Sequence, residues 1–503
     1  MAKASLDSLP EELQLHILQY LDTPPPSSQR LRQEPCLSLT NSEEVTLKSV
    51  SVTSRRWRRL VLPILFKHVR FRLDAPASPR WDACHVCNAA ALSGELTSTT
   101  HSQQPGGVDQ YHIDMVAAAL ERCNVNLRAG QTDDEAQQMG QMAFEEKERL
   151  KPSKALAWIS RFYHGLQDFL GYLRAHDLAK VVQSFVLYTD RMLEEKLHRF
   201  PHQAADRDWR FPASAAFWSH MLSAIDPKVV TIVAPPIDLA CLTNCAIDTL
   251  GDWAFGDMDF HILSLSWDKA ASPPGYDNAS KHGTPLSYDN IQAIPTGFPL
   301  VAPSSLFALR PWSHLSLNEG SFLKAYGTYE FFERGPPSIV TSIEDCITQA
   351  VSTARLIGRA DVSNLLLTGL KSLDYTAIFP FSNHANFNLL LHQVEELNLQ
   401  LAPEPHNRIL NDKARVGKAE LGDCWSELMS TYGELVKPLM TAQLLSADGT
   451  SSWGTRGPDV KLKKLVVKDY SIIGVKEELD EMFIPLCLPV WVEREDGVFT
   501  RQM

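Results

Sequence analysis

The closest group of metal-ligating residue types is the C-H-V-C stretch at 84–87, which His101, His112 and Cys123 follow at loose spacing. Cysteine and histidine are the usual ligands of structural zinc, which takes four ligands, normally as two pairs. No second C-x-x-C pair follows this one in the sequence. We therefore expect two free cysteines in a surface loop, and the sequence predicts no metal site.

Two further groups of potential ligands have simpler structural explanations. Asp252, Asp257 and Asp259 lie in GDWAFGDMD, but this stretch lacks the D-x-D-x-D-G loop and the distant Glu of a calcium site. We expect it to form a turn before the next strand. Cys241 and Cys245 lie four residues apart in an apolar segment, a pattern typical of buried thiols.

The sequence also lacks the motifs of common enzymes. It contains no G-x-x-x-x-G-K-[ST] phosphate loop, no G-x-G-x-x-G after a strand, no H-E-x-x-H and no G-x-S-x-G. Sixteen histidines make some contacts between histidine and aspartate or cysteine expected by chance, so no such pair counts as a catalytic dyad. The sequence therefore predicts no catalytic residues and no cofactor.

The composition limits the class of protein. The 503 residues include 48 Lys and Arg against 60 Asp and Glu, a formal charge of −12, with 44% hydrophobic and 21% charged residues. This much apolar material can bury a core, which argues against a mostly disordered, collagen-like or histone-like chain. The length corresponds to about three domains, at about 150 residues each, or to one repeat array with an appended module.

Three features indicate the compartment. The start, MAKASLDSLPEELQ, is polar and acidic, unlike a signal peptide. No apolar run reaches the roughly 18 residues that a membrane span needs. The nine cysteines, an odd number spread along the chain, are typical of reduced thiols. We expect an intracellular protein of the cytoplasm, the nucleus or both, with no membrane partner.

Helical periodicity organises the N-terminal residues. Leucine or isoleucine recurs every four residues at 9, 13, 17 and 21, and the three prolines at 24–26 should end this helix near Asp22. Residues 23–44 show little periodicity and predict a flexible loop. A helical pattern resumes at 43–61, and LPILFKHV continues it as a short amphipathic piece.

The stretches LDSLPEELQLHILQYLD at 6–22 and LKSVSVTSRRWRRLVLPILFKHVRF at 47–71 together resemble the F-box. The matching features are Leu9-Pro10, Glu12-Leu13, Ile17-Leu18, Leu21-Asp22, Leu47, Val50-Ser51, Ser54, Arg56-Trp57, Leu60 and Leu65-Phe66. The ending LPILFKHVRF is similar to that of fungal F-box proteins. The stretch at 166–190 is similar to a helix that leads into an irregular leucine-rich-repeat array.

The resemblance implies a function without covalent chemistry. F-boxes bind the small Skp-type adaptor of SCF (cullin–RING) ubiquitin ligases, and the rest of such a chain holds a protein substrate. A small helical module cannot bury all its apolar residues, so a leftover face should dock on a partner. We expect the adaptor-binding residues to be Leu9, Pro10, Leu13, Ile17, Leu18, Val50, Trp57 and Leu60. Trp57 is either an interface hot spot or a core residue.

The predicted fold is α+β, with a three-helix F-box at 4–72 that contains the inserted loop 23–44. A linker with helices follows at 73–150. An irregular α/β leucine-rich-repeat-like solenoid fills 151–503, with insertions at 268–310 and 446–460, although a compact α/β domain would show similar alternation. Strands are predicted at 183–189, 229–235, 260–267, 314–318, 363–370, 395–401 and 463–469, and helices at 342–357 and 424–445.

The inserted loop 23–44 departs most from the F-box pattern. Lengthening a flexible loop about fourfold costs only about 1.2 kcal/mol, so the module can still fold. The loop would hinder adaptor docking if it lay over the binding face. It is otherwise a regulatory site, through serines and threonines such as Ser27 and Ser38, or a passive connection.

Between Thr46 and Arg72 the chain carries eight Lys or Arg and no acidic residue. This run is a solvated face, a surface that steers an acidic adaptor, or a contact for nucleic acid or nuclear import. The acidic whole chain, without a second basic and aromatic stripe, argues against nucleic acid.

Three other interpretations of the whole chain stay open. The F-box and its adaptor could act outside a ubiquitin ligase. The chain could be an enzyme with an appended F-box, which predicts a concave pocket with convergent polar groups. The helical pattern could be coincidental, with no adaptor binding.

Overall fold

The computed structural model describes the chain in segments. They are residues 9–41, 46–73, 166–189, 220–243, 258–268, 306–327, 335–340, 369–385, 390–447, 460–487 and 490–502, with a few single residues between them. In these segments a helical module precedes a ten-stranded mixed sheet. No helix in them is long and apolar enough to cross a membrane.

The helical module contains α1 (Glu11–Tyr20), α2 (Pro26–Gln29), α3 (Thr46–Thr53) and α4 (Arg55–Leu65). Two acidic residues lie in the first turn of α1, where they complement the positive end of the helix dipole. The Ser54 hydroxyl accepts a hydrogen bond from the Trp57 amide at 3.2 Å and so caps α4. The predicted helices of the module are present, and α1 ends at Tyr20, close to the predicted end.

The sheet follows the order of its strands along the chain, except for its last two. The strands are β1 (His68–Arg72), β2 (Ser184–Tyr188), β3 (Val229–Ala234), β4 (His261–Ser266), β5 (His314–Ser321), β6 (Ser372–Ile378), β7 (Glu396–Gln400), β8 (Lys464–Val467), β9 (Trp491–Glu495) and β10 (Val498–Arg501). The spatial order is β1 to β8, then β10, then β9.

Six of the seven predicted strands are confirmed as β2, β3, β4, β5, β7 and β8. Most of the seventh, 363–370, lies outside the described residues, and the strand in this region is β6. The prediction was wrong at His68 and Val69, the last two residues of the amphipathic piece LPILFKHV, which begin the strand β1 (His68–Arg72). Parallel pairing of β1 with β2 over five residues overrides the helical pattern of the preceding sequence.

Most neighbours in the sheet run parallel, but β4 is antiparallel to both β3 and β5. The terminal hairpin of β9 and β10 adds to β8 in the antiparallel sense. The sheet is open, and sequential strands joined by long connections give a mixed α and β architecture. The antiparallel β4 departs from the all-parallel order of a regular repeat array.

Side chains alternate between two faces of the sheet. One face packs on the main core together with α5 (Pro236–Thr243), α7 (Leu421–Ala447) and α8 (Ile473–Phe483), and the four-residue α6 (Lys413–Val416) precedes α7. Helix α7 contains the predicted helix 424–445. The opposite face, called the polar face here, carries hydroxyl and amide side chains such as Thr231, Ser264, Ser316 and Asn398, together with charged and apolar residues.

Short 3-10 turns join these elements. They are Leu37–Thr40, Ala179–Val181, Leu306–Ala308, Ala325–Gly327, Leu390–His392, Ile409–Asn411, Lys468–Ser471 and Ile484–Cys487. Residues 166–175 are helical, and Leu166, Leu170 and Leu173 face the main core from there.

Candidate functional site

Helix α1 carries a row of apolar side chains on its outer surface. Leu13, Ile17 and Tyr20 are 51%, 40% and 78% exposed, and Pro10 is exposed one turn before Leu13. These positions follow the spacing of one helix face, and we call Pro10, Leu13, Ile17 and Tyr20 the apolar row. Half-buried Leu9 precedes it. A contiguous row of exposed apolar side chains marks an interaction surface rather than a core.

The other predicted docking residues lie inside the module. Leu18 and Leu60 are each 3% exposed and form the module's core with Leu47, Val61 and Ile64. Val50 and Trp57 are half-buried and pack against the same core. Leu18 and Leu60 therefore position the apolar row from behind, and they do not belong to the surface that a partner could contact.

Gln14 ties the start of the chain to α1 and α4. Its side chain is fully buried, and its Nε2 donates to the carbonyl oxygens of Leu6 and Leu9 at 2.9 and 3.0 Å. Its Oε1 accepts from Arg56 Nη2 of α4 at 3.1 Å. Sequence reasoning missed Gln14 and Tyr20, although both have signals: a glutamine within the apolar rhythm, and an aromatic residue three positions after Ile17.

The basic run is partly used within the fold. Arg59 forms an ion pair with Glu11 of α1 at 3.0 Å, and Lys67 forms one with Asp22 at 2.5 Å. The Arg70 guanidinium lies 3.8 Å from the centre of the Tyr188 ring. Lys48, Arg55 and Arg58 are exposed. Some of these cations therefore hold the module together, while others face solvent.

Residues 23–41 of the inserted loop contain α2 and a 3-10 turn at Leu37–Thr40, which corrects the prediction of a flexible segment there. Residues 31–41, which we call the strap, lie across the polar face, and Leu39 is 8% exposed against Val233 and Ile262. The composition alone predicted a flexible backbone here, but hydrophobic burial and hydrogen bonds to the sheet fix the position of the strap. The predicted regulatory sites divide into buried Ser27 and exposed Ser38.

The main core encloses a polar cluster around Glu319 of β5. The Glu319 carboxylate accepts hydrogen bonds from Tyr375 at 2.6 Å and from the Ser338 hydroxyl, and it lies 2.9 Å from His384 Nε2. His261 Nδ1 is 4.0 Å from the same carboxylate. Glu319 and His261 are fully buried, so the cluster faces no solvent.

Burial and charge act on the pKa values of this cluster in opposite directions. Burial alone would raise the pKa of Glu319, but the neighbouring His384 and the hydrogen bonds lower it overall to about 2. Burial lowers the pKa of His261 to about 4, against the opposing effect of Glu319. A buried carboxylate beside a neutral histidine, away from solvent, supports the fold rather than chemistry on a substrate.

No group of three or more His, Cys, Asp or Glu able to hold a metal occurs in the described segments. The candidate ligands at 84–87, with His101, His112 and Cys123, lie outside them, as do Asp252 and Asp257. Almost all of the predicted linker 73–150 and most of the insertions 268–310 and 446–460 also lie outside. Cys245 is a buried thiol, as predicted, and burial raises its pKa to about 12.

Comparison with known proteins supports the N-terminal assignment. Residues 6–72 match the family model described as F-box-like. The searches of curated proteins and of solved structures found no match. The matched residues contain α1 to α4, the apolar row, the strap and β1. The chain therefore carries an F-box-like domain at its N-terminal end.

Proposed function

We propose that the protein is a substrate-receptor subunit of an SCF (cullin–RING) ubiquitin ligase. The F-box-like domain binds a Skp-type adaptor, the adaptor contacts a cullin, and the sheet domain holds a protein substrate. The protein performs no covalent chemistry. It acts by proximity, because it raises the effective concentration of substrate lysines near the ubiquitin-conjugating enzyme.

The apolar row is the observation that carries this proposal. Leu13, Ile17 and Tyr20 would be costly to expose permanently in a stable monomer, and they lie in the domain that matches the F-box-like model. An amphipathic helix that presents apolar residues at this spacing suits docking against helices of another protein. Half-buried Leu9 precedes this row, and Val50 and Trp57, which are half-buried against the module's core, are further proposed adaptor contacts.

The exposed cations favour an acidic adaptor. Lys48, Arg55 and Arg58 of α3 and α4 are exposed, so they can attract negative charge over distances near the Debye length, about 8 Å at physiological salt. This steering raises association rates more than final affinity. We do not assign these residues to nucleic acid.

The sheet domain supplies the second half of the function. Its strands follow one another along the chain, and the polar face is partly accessible over β6 to β8, where Asp374, Asn398 and Lys464 are half-buried. Repeat proteins bind partners through extended sheet surfaces of this kind. We infer that it is an irregular leucine-rich-repeat-like domain, with residues 151–503 as one substrate-binding unit. We also infer a fungal type of F-box protein, acting in the cytoplasm or nucleus, from the sequence ending at 62–71.

A second candidate function is an F-box protein that binds its adaptor outside a ubiquitin ligase. The apolar row supports this equally well, because the adaptor makes the main contact with the cullin. Assembly with a cullin separates the two functions.

The proposal is tested by capture of a purified Skp-type adaptor on the immobilised full-length chain. We expect wild type to retain the adaptor and Ile17→Asp to lose at least about tenfold in affinity, because a buried charge would replace an apolar contact. Ile473→Asp is the matched control, since Ile473 is an 88% exposed isoleucine on α8. Equal retention by all three proteins would contradict docking through the apolar row.

A further inference from the structure

The strap crosses several strands of the polar face and forms a 3-10 turn at Leu37–Thr40, near its C-terminal end. At its C-terminal end, Asn41 Oδ1 accepts a hydrogen bond from Arg70 Nη1 of β1 at 2.6 Å. Leu39 then packs against Val233 of β3 and Ile262 of β4, in a cluster separate from the main core. One face of the sheet is therefore occupied by a segment of the helical module.

Strands β5 and β6 hold the N-terminal half of the strap. Asn318 Nδ2 donates to the carbonyl oxygens of Leu31 and Gln33 at 2.7 and 2.8 Å. The Arg32 guanidinium lies 3.6 Å from the carboxylate of Asp374. The Asn318 amide binds main-chain carbonyl oxygens, which a residue of any type provides. The ion pair with Asp374 requires a basic residue.

The backbone conformation of strand β5 allows the strap to approach closely. Its register with β6 shifts between Asn318 and Gly320, which forms a bulge of the kind that redirects side chains. Gly320 has a φ of 76°, and a Cβ there would lie 3.3 Å from Pro35 Cδ. Glycine therefore allows both the backbone turn and the close approach of a proline.

These contacts resemble those of sites that bind short peptide segments. Such sites combine hydrogen bonds to the main chain with separate positions for particular side chains. In the strap those side chains are Arg32, Pro35 and Leu39, so the occupied motif reads R-x-x-P-x-x-x-L. The polar face continues beyond the strap over β7 and β8, where Glu396 and Lys464 form a partly exposed ion pair at 2.8 Å.

We infer that the strap is a built-in ligand of the polar face. Substrate proteins carry a segment with the same chemistry, a basic residue, a proline and a leucine at this spacing, which takes the place of the strap and adopts its 3-10 turn around the leucine. This inference rests on the proposed function, because it names the substrate class of the sheet domain.

The contacts that hold the strap on the polar face are weak enough for an external segment to displace it. The side chains of Arg32 and Glu34 are 41% and 43% exposed, so their ion pairs with Asp374 and Arg415 are screened by solvent. Leu39 is the main apolar anchor. Because the strap is part of the same chain, it competes at a high effective concentration and lowers the apparent affinity for any external segment.

A synthetic peptide of residues 29–43, labelled with a fluorophore, tests the inference by anisotropy against the full-length chain. We expect Leu39→Asp in the chain to release the strap and to strengthen binding of the wild-type peptide by about tenfold or more relative to the wild-type chain. A peptide that carries the same Leu39→Asp change should not bind. Asn318→Ala, added to the Leu39→Asp chain, should weaken peptide binding, because it removes two hydrogen bonds.

Two further measurements make the result decisive: the unfolding transition of a Leu39→Ala chain, and capture of the adaptor by each chain. A Leu39→Asp chain that unfolds cooperatively and retains the adaptor, but binds the peptide no better than wild type does, overturns the inference while leaving the proposed function intact. Loss of the cooperative unfolding transition in Leu39→Ala also overturns it, since a displaceable ligand is not required for folding. Failure of the wild-type chain to bind the adaptor contradicts the proposed function instead.

Discussion

Individual buried polar residues stabilise the helical module and the sheet domain through hydrogen bonds. Gln14 and the Glu319 cluster are both buried, and each satisfies hydrogen-bonding groups that come from distant parts of the chain. The Glu319 cluster could not be derived from the sequence, because the partners of Glu319 are up to 65 residues away from it. Gln14 has a sequence signal, a glutamine within the apolar rhythm of α1, but the sequence does not show that Arg56 is its partner. Local spacing identifies helix faces, but it does not indicate which polar residues meet in the core.

Gln14→Ala should destabilise the module. The change removes the donor for the Leu6 and Leu9 carbonyls and the acceptor for Arg56. We expect a loss of about 1–3 kcal/mol in the free energy of unfolding, measured with urea, because buried groups lose their partners. Gln19→Ala, at an exposed position of the same helix, is the control and should change stability little. Equal effects of the two substitutions would refute the role of Gln14.

His261 should make the protein less stable in mild acid. Its pKa is lowered to about 4 in the folded state from an ordinary value of 6.5, so the unfolded chain binds a proton first as the pH falls. Stability is therefore lost between pH 6.5 and pH 4, by about 3 kcal/mol at most from this residue. Glu319 stays ionised through this window, because its folded pKa is about 2.

Unfolding free energies measured at several pH values check this prediction. We expect His261→Leu to flatten the decline between pH 6.5 and 4, because the group that takes up the proton is gone. His406→Leu, at an exposed histidine, is the control and should keep the wild-type profile. A His261→Leu profile with the wild-type slope would show that His261 does not cause the decline.

At the scale of elements, the sequence predicted what local patterns determine. Alternating apolar residues identified β2 and β3, and helical periodicity identified α1 and α7. It did not predict β1, whose first two residues belong to the piece LPILFKHV that was predicted as helical, and which forms a strand by pairing with β2. It also did not predict the ordered strap, because polar and proline-rich composition does not reveal a docking surface formed by distant strands.

The terminal hairpin depends on a glycine at its turn. Gly497 joins β9 to β10 with a φ of 71°, and a Cβ there would collide with the Val467 carbonyl and lie 2.8 Å from Tyr470 Cβ. Gly497→Ala should therefore destabilise by more than the roughly 1–2 kcal/mol of left-handed strain alone. Gly417, with a φ of 59° and open space around it, is the matched control for that strain.

Thermal unfolding of the two alanine variants measures the difference. We expect the midpoint to fall further for Gly497→Ala than for Gly417→Ala, because the first variant adds a steric clash with the backbone of β8. A larger fall for Gly417→Ala would mean that the hairpin tolerates the extra atom by moving away from β8.

For the whole molecule, the strap and β1 connect the helical module, which carries the apolar row, to the polar face of the sheet. Strand β1 follows directly on α4 and pairs with β2, while the strap returns from α2 across the polar face. In the proposed mechanism, β1 keeps the helical module connected to the sheet after a substrate segment has replaced the strap. A receptor that acts by proximity benefits from this arrangement, because it limits the orientations of the substrate.

The most direct test of the receptor function is assembly of the full-length chain with purified Skp-type adaptor and cullin, followed by size-exclusion chromatography. For the wild-type chain we predict one complex that contains all three proteins. A chain with Ile17→Asp should elute alone, separate from the adaptor–cullin pair, because it no longer binds the adaptor. A stable complex of wild-type chain and adaptor that excludes the cullin would contradict the ubiquitin-ligase function and support action of the F-box-like domain outside the ligase.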